Sequence, residues 1–308
     1  MRYFLSRVGQ AAVIIFGIML AVFVLLRLTA GDPARIKGQI FSSNEVIEEY
    51  RRQFGTDRGI FQQLSTFLVG LTQGSLGDSF RFQQPVTDIV LPALQNTLFL
   101  GLSALLLSLV FAVVLGTLSA RTPGGWIAKL STGVAIIGQS APLFWVGLIL
   151  ISVFSVQLGW LPSGGFTSWN SLVLPSLALA LTILPAQMRV LTASVRAEMT
   201  EDYVRTARAF GIKRWRIYFV HILRNASLPL LTVVGNDMGI LLGGAIVAEV
   251  VFNFPGIGSL ALTALTARDY PLVQGITIVA ASTFVLVNLF VDLAYTLINP
   301  RVRVGGQA

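Results

Sequence analysis

Long uncharged apolar runs alternate with short polar stretches along this chain, and their spacing predicts helices rather than strands. Val8 to Leu26, Ile89 to Ala120 and Tyr270 to Val291 carry no charged residue. Leu130 to Met188 is also uncharged but too long for one crossing, and LGWLPSGGFTSWNS from Leu158 to Ser171 interrupts it with the Gly, Pro and Ser residues of a turn. It therefore holds two apolar helices. Leu228 to Val250 reads as a further one, with Asp237 near its middle. Crossing the apolar core of a bilayer takes about 20 apolar residues in a helix. The pattern thus predicts six spans, near residues 9–28, 96–119, 132–157, 172–192, 228–250 and 272–297.

The segment from Ala30 to Gln95, between the first two spans, has a pattern of its own. Ser42 and Glu45 are placed as a capping box, Val46, Ile47, Tyr50 and Phe54 share one helical face, Arg51 and Arg52 fall in the last turn, and Gly55 suits a helix end. A second helix follows, with Ile60, Phe61, Leu64, Phe67, Leu68 and Leu71 recurring at three and four. Its apolar stripe fits a structural cap over the spans or a docking surface for an external partner; amphipathicity does not choose between them. The last outer loop, VFNFPGIGSLALTALTARDYP, opens on a Pro255-Gly256 turn and continues as an apolar helix too brief to span. Gly256, Gly258 and Ala261 match a loose GxGxxA pattern, but no strand precedes them, so the turn is the better reading.

Small residues mark two faces for close helix packing: Ala104, Ser108, Ala112, Gly116 and Ala120 in the second span, and Gly235, Gly239 and Gly243 in the fifth.

Composition agrees with a bilayer as solvent. The 308 residues are 54% hydrophobic and only 12% charged, about half the charged share of soluble domains. There is no cysteine, which excludes structural disulfides and thiolate metal sites. Cations gather at Arg2 and Arg7, at Arg121 and Lys129, from Arg189 to Arg224, and at Arg301 and Arg303, whereas the loops at 158–171 and 252–271 hold only Arg268. The positive-inside rule then puts both termini in the cytoplasm. This bias accounts for much of the net charge of +8 without a nucleic-acid partner. Arg2 and Arg7 precede an apolar run of 19 residues with no small-residue cleavage site behind it, so a retained first span is expected rather than a signal peptide.

The most informative stretch is DYVRTARAFGIKRWRIYFVHILRNASLP, Asp202 to Pro229. Thr200 is placed to cap a helix with Glu201 and Asp202 in its first turn, and Gly211 suits the left-handed position at its end. Lys213, Arg214 and Arg216 then interleave with Trp215, Tyr218 and Phe219 in a second helix leading through Asn225 to Pro229 into the fifth span. On residue chemistry alone, a docking element and an amphipathic segment on anionic lipid fit about equally.

DYVRTARAFG and HILRNASLP resemble the cytoplasmic coupling loop of ABC importer permeases, in particular the B-type membrane subunit of the dipeptide, oligopeptide and nickel importers. LLRLTAGDPA, GSLGDSFRF, PLFWVGLIL, GWLPSGG, VFNFPGIG, RDYPLVQG and VNLFVDLAYTLINPRVR are similar to the same family, so the resemblance covers nearly the whole chain. It departs from the general loop pattern in having Arg205, Thr206 and Ala207 where Glu-Ala-Ala is usual, Phe210 where the peptide branch has Lys, and Leu228-Pro229 further downstream than in sugar importers.

The resemblance implies an all-α integral membrane protein of the bacterial cytoplasmic (inner) membrane. It implies six transmembrane helices in a type I ABC importer bundle, with an extracytoplasmic helical insertion between helices 1 and 2. The expected division is 1–29 for the N-terminus and first span, 30–95 for the outer segment, 96–297 for the permease core with a coupling loop at 194–227, and 298–308 for a cytoplasmic tail. Tyr203, Arg205, Ala207, Arg208, Gly211, Lys213, Arg214 and Trp215 are the implied ATPase-coupling residues. Implied partners are a homologous C-type permease, two cytoplasmic ABC ATPase subunits or domains, an extracytoplasmic solute-binding protein and membrane lipid. The chain has no GxxxxGK[ST] phosphate loop, so ATP and Mg are expected on the partner ATPases and no cofactor in this chain.

The remaining chemistry is sparse. Asp237, with Asn236, is either a contact in the solute path or a structural hydrogen-bonding group; the first option predicts that Asp237→Asn lowers transport with assembly intact. Asn288 and Asp292 read as structural, and the lone His221 as a packing group. No nucleophile–base set supports an intramembrane enzyme. The alternative function is a self-sufficient secondary transporter, which predicts inverted repeats that the chain does not show convincingly.

Overall fold

The structure is a computed structural model describing residues 2–28, 31–38 and 43–298. Ser42 of the expected capping box and the tail with Arg301 and Arg303 lie outside the described residues, as do the side chains of Arg2, Arg7 and Asp292. The described residues are mostly helical. In chain order the helices are α1 Arg2–Leu28, α2 Pro33–Gly38, α3 Asn44–Phe54, α4 Ile60–Thr72, α5 Val86–Arg121, α6 Trp126–Ser140 and α7 Leu143–Leu150, which runs on as a π-helical stretch Ile151–Gln157. After a 3₁₀ turn at Trp169–Leu172 come α8 Val173–Glu198, α9 Asp202–Ala209, the short turn α10 Arg214–Arg216, a π-helical stretch Ile217–Ile222, α11 Leu223–Val251, α12 Ile257–Thr266 and α13 Tyr270–Ile298.

Four helical segments among the described residues are long and apolar enough to cross a membrane: Val86–Arg121, Trp169–Glu198, Arg214–Leu241 and Tyr270–Val291. A fifth is reached if α6 and α7 count as one span, but the two are bent by 115°. The span expected at 132–157 is thus built from two helices that break at Ala141. Ala141 precedes Pro142 and is extended, at φ −85 and ψ 129, because the proline ring disfavours helical geometry in the residue before it. Helix α1 runs through the whole stretch expected as the first span, 9–28.

The chain divides into two compact units. The first comprises residues 1–97 and 255–286. Its core joins Val86, Val90 and Ala93 at the start of α5 to Ile257 and Ala264 of α12 and Leu272, Val273 and Ile276 of α13. Helices α3 and α4 occur at their expected places. Helix α3 ends at Gly55 in the left-handed conformation (φ 64), and Arg51 in its last turn pairs with Asp32 at 2.7 Å. The N-cap of α3 is Ser43, whose side chain makes no capping bond. Arg27 of α1 lies over the Phe23 ring and donates to Gln63 Oε1 of α4 at 2.9 Å. The α4 stripe is covered unevenly: Leu64, Phe67, Leu68 and Leu71 are half-buried, while Phe61 is exposed.

The second unit comprises 98–254 and 287–308. Helix α8 is its hub, packed on α6, α7 and α11. Ala104, Ser108, Ala112, Gly116 and Ala120 of α5 are all buried, as expected of a small-residue face. A Cβ at Gly116 would lie 3.3 Å from Met188 O, and Thr192 Oγ1 donates to Gly116 O at 3.2 Å, so α5 and α8 approach almost backbone to backbone. Gly138 does the same for α6, where a Cβ would overlap Leu181 O of α8. In α11 the small face is used only in part: Gly235 meets Val291, and Gly243 has open space.

Candidate functional site

The basic segment folds as a hairpin standing on a buried foot. Thr200, expected to cap α9, does not do so; its hydroxyl donates back to Ala197 O at 2.8 Å, and Glu201 takes the N-cap place with extended backbone. A Thr hydroxyl one turn from a free helix carbonyl bonds locally in preference to the next helix. The end of α9 matches the expected left-handed stop. Gly211 has φ 71, its N–H reaches Arg208 O at 3.0 Å, and Ile212 N–H reaches Ala207 O at 3.1 Å, the paired bonds of a Schellman stop. From Arg214 the chain stays helical through the π-helical stretch into α11, so the second arm of the hairpin and the following apolar helix are one continuous rod.

The foot is apolar. Val204 is fully buried against Leu191 and Val195 of α8 and against Ile217, Ile222, Ala226 and Leu230 of the rod. Tyr203 and Ala207 are half-buried on the same cluster. Tyr203 Oη donates to Glu198 Oε2, and burial, with that bond, pushes the phenol up to about 12. Tyr218 Oη donates to Thr117 O at 3.0 Å, fastening the rod to α5.

The eight expected coupling residues thus separate by face. Tyr203 and Ala207 hold the hairpin to its foot, whereas Arg205, Arg208, Gly211, Lys213, Arg214 and Trp215 are exposed together with Phe210, Ile212 and Arg216. The exposed set is cationic and aromatic on a rigid base. Its one ion pair among the described residues is the solvent-exposed Arg205–Asp202 contact at 3.5 Å, which contributes little.

The other two expected residues lie elsewhere. Asn236 is exposed, while Asp237 is buried and accepts from Gln187 Nε2 of α8 at 2.7 Å. His221 is half-buried in the π-helical stretch, and the described residues contain no cluster of His, Cys, Asp and Glu fit to hold a metal ion. Sequence reasoning missed several buried polar residues, among them Gln187, Glu249 and Asp269. For Asp269 a signal was present: Asp followed by Tyr-Pro before an apolar run marks a helix start.

Two family descriptions match the chain: "Binding-protein-dependent transport system inner membrane component" over residues 112–304 and the N-terminal part of such components over residues 1–101. The glutathione transport system permease protein GsiC of Escherichia coli O6:H1 is 37% identical over 303 residues, covering 98% of this chain and 99% of the relative. GsiC of Pectobacterium atrosepticum is 36% identical with the same coverage. The crystal structure of an amino acid ABC transporter with histidines shares the fold, with a TM-score of 0.52, 18% identity, and coverage of 70% of this chain and 94% of that one. The chain accordingly belongs to the family of binding-protein-dependent transport system inner membrane components, as an ABC importer permease of the peptide and oligopeptide group.

Proposed function

We propose that this chain and a homologous C-type permease together line the translocation path of an ATP-driven importer for di- or oligopeptides or a related solute, and that the hairpin from Tyr203 to Trp215 couples that path to separate cytoplasmic ATPases. In this reading six spans cross the inner membrane with both termini cytoplasmic, residues 30–95 form an extracytoplasmic helical segment, 96–297 the permease core and 298–308 a cytoplasmic tail. A solute-binding protein delivers substrate to the outer face. The names of the glutathione transport relatives favour a short peptide or peptide-like solute. ATP and Mg belong to the partner chains.

The observation that carries the reading is mechanical. A push on the exposed cations of the hairpin meets a buried foot at Val204 and passes into a rod that continues without a break from Arg214 to Val251. A flexible loop would dissipate the same displacement, whereas a packed element moves as a body. Electrostatic recognition by an acidic groove fits a surface with this charge.

The test is reconstitution of the chain with its permease partner, with and without candidate ATPase subunits, and with Arg205→Glu plus Lys213→Glu. Uptake should require the ATPases and ATP, and the double charge reversal should lower ATPase co-purification by about tenfold or more. Gradient-driven uptake by this chain alone would sink the reading in favour of a secondary transporter.

A further inference from the structure

Part of the positive charge at the hairpin surrounds a cavity. A space of about 590 Å³ opens between the end of α5 and the hairpin, lined by residues that include Arg121, Arg208 and Arg214. Its lining contains no carboxylate, and among the described residues none of these three arginines makes an ion pair. Like charges around one space repel unless an anion sits among them. Guanidinium forks match the oxygens of a phosphate in particular.

The position of the cavity narrows the choice of anion. Arg121 is the first charge after the uncharged run Ile89 to Ala120, so it stands at the end of the apolar depth, where phospholipid phosphates lie. Its guanidinium is 5.0 Å from the centre of the Tyr218 ring, which the bond to Thr117 O holds in place. Trp215 and Phe219 also line the cavity and are 62% and 59% exposed, like the aromatic side chains that settle at a membrane surface. The lining is apolar at Met199, Ile217 and Ile222. A free phosphate ion would leave that apolar portion unused.

We propose that this cavity binds the phosphate of an anionic phospholipid from the cytoplasmic leaflet, with Arg121, Arg208 and Arg214 around the phosphate and the glycerol end of the acyl chains over the apolar lining. Basic pockets on the cytoplasmic side of membrane helices take such headgroups. The proposal rests on the cytoplasmic placement of the hairpin in the proposed function. The cations then serve different ligands, with Arg205 and Lys213 left for a protein partner and Arg121 for lipid alone.

The experiment uses the assembled complex in nanodiscs of equimolar phosphatidylcholine and phosphatidylglycerol, followed by native mass spectrometry of the lipids retained. Wild type should retain phosphatidylglycerol over phosphatidylcholine. Arg121→Gln should lower that retention by about fivefold, Arg121→Lys should lower it less, and added inorganic phosphate should not displace the lipid. ATPase co-purification should be equal in all three proteins. Retention unaffected by Arg121→Gln, or abolished by inorganic phosphate, overturns the proposal. Loss of the ATPases from Arg121→Gln also overturns it by assigning the cavity to a protein carboxylate, while leaving the coupling reading intact.

Discussion

Gln187 Nε2 donates to Asp237 Oδ2 at 2.7 Å, joining α8 to α11 through two side chains that are almost completely buried. The other amide atom, Gln187 Oε1, is buried with no hydrogen-bond partner. Asparagine at 237 offers an N–H as well as a carbonyl, and so completes a reciprocal amide pair. We predict that Asp237→Asn unfolds no earlier than wild type and keeps uptake, while Asp237→Leu, which strands the Gln187 donor, loses about 1–3 kcal/mol. Thermal unfolding of the solubilised complex reads both. A stable Asp237→Asn protein without uptake would instead place Asp237 in the solute path.

Gly211 tests the stiffness of the hairpin by backbone conformation alone. Its φ is 71, and a Cβ built there meets nothing within 4 Å, so Gly211→Ala is penalised only by the left-handed backbone, by about 1–2 kcal/mol. ATPase co-purification is expected to fall for Gly211→Ala and to stay near wild type for Gly211→Asn, since asparagine tolerates that conformation. Equal losses in the two variants would show that the side chain, and not the backbone, is what position 211 resists.

Asp269 ties the segment before α5 to the start of α13. Its carboxylate accepts from Ser79 Oγ, from Arg81 N at 2.9 Å and from Leu272 N at 3.2 Å, and the residue is fully buried. Asp269→Ala removes both a helix cap and the acceptor for two further donors, an expected cost of about 2–4 kcal/mol. Hydrogen exchange should show lost protection at Arg81 and Leu272 together. Unchanged protection at both amides would contradict the arrangement.

Tyr203 gives a pH signature outside the membrane. Its phenol is raised from the ordinary 10.0 to about 12, because burial and the bond to Glu198 disfavour the phenolate. A raised value means that the folded protein holds the proton more tightly. The resulting stabilisation is complete below pH 10 and is lost as the pH rises toward 12. The difference in phenolate absorbance between wild type and Tyr203→Phe should therefore appear above pH 11, and a midpoint at the ordinary value would exclude the buried, bonded tyrosine.

The stop at Gly211, the turn before α12 and the small-residue face of α5 are readable from the chain because each depends on neighbours within a few positions: a left-handed glycine, a Pro-Gly pair, a repeat of four. The bend at Ala141 also has a local cause in Pro142, but the apolar run on either side masks it. Capping by Thr200 is not readable in the same way, because two helix ends compete for one hydroxyl and distance decides the competition.

The residue pattern alone determined the helical class, the bilayer as solvent and a rigid basic hairpin, since apolar length, charge bias and turn chemistry act along the chain. Only the tertiary structure decided that Asp237 answers Gln187, that Val204 is the foot of the hairpin, and that Arg121 shares a cavity with Arg208 and Arg214. Each of those relations joins residues far apart in sequence, and burial and pairing energies exist only once the helices have packed.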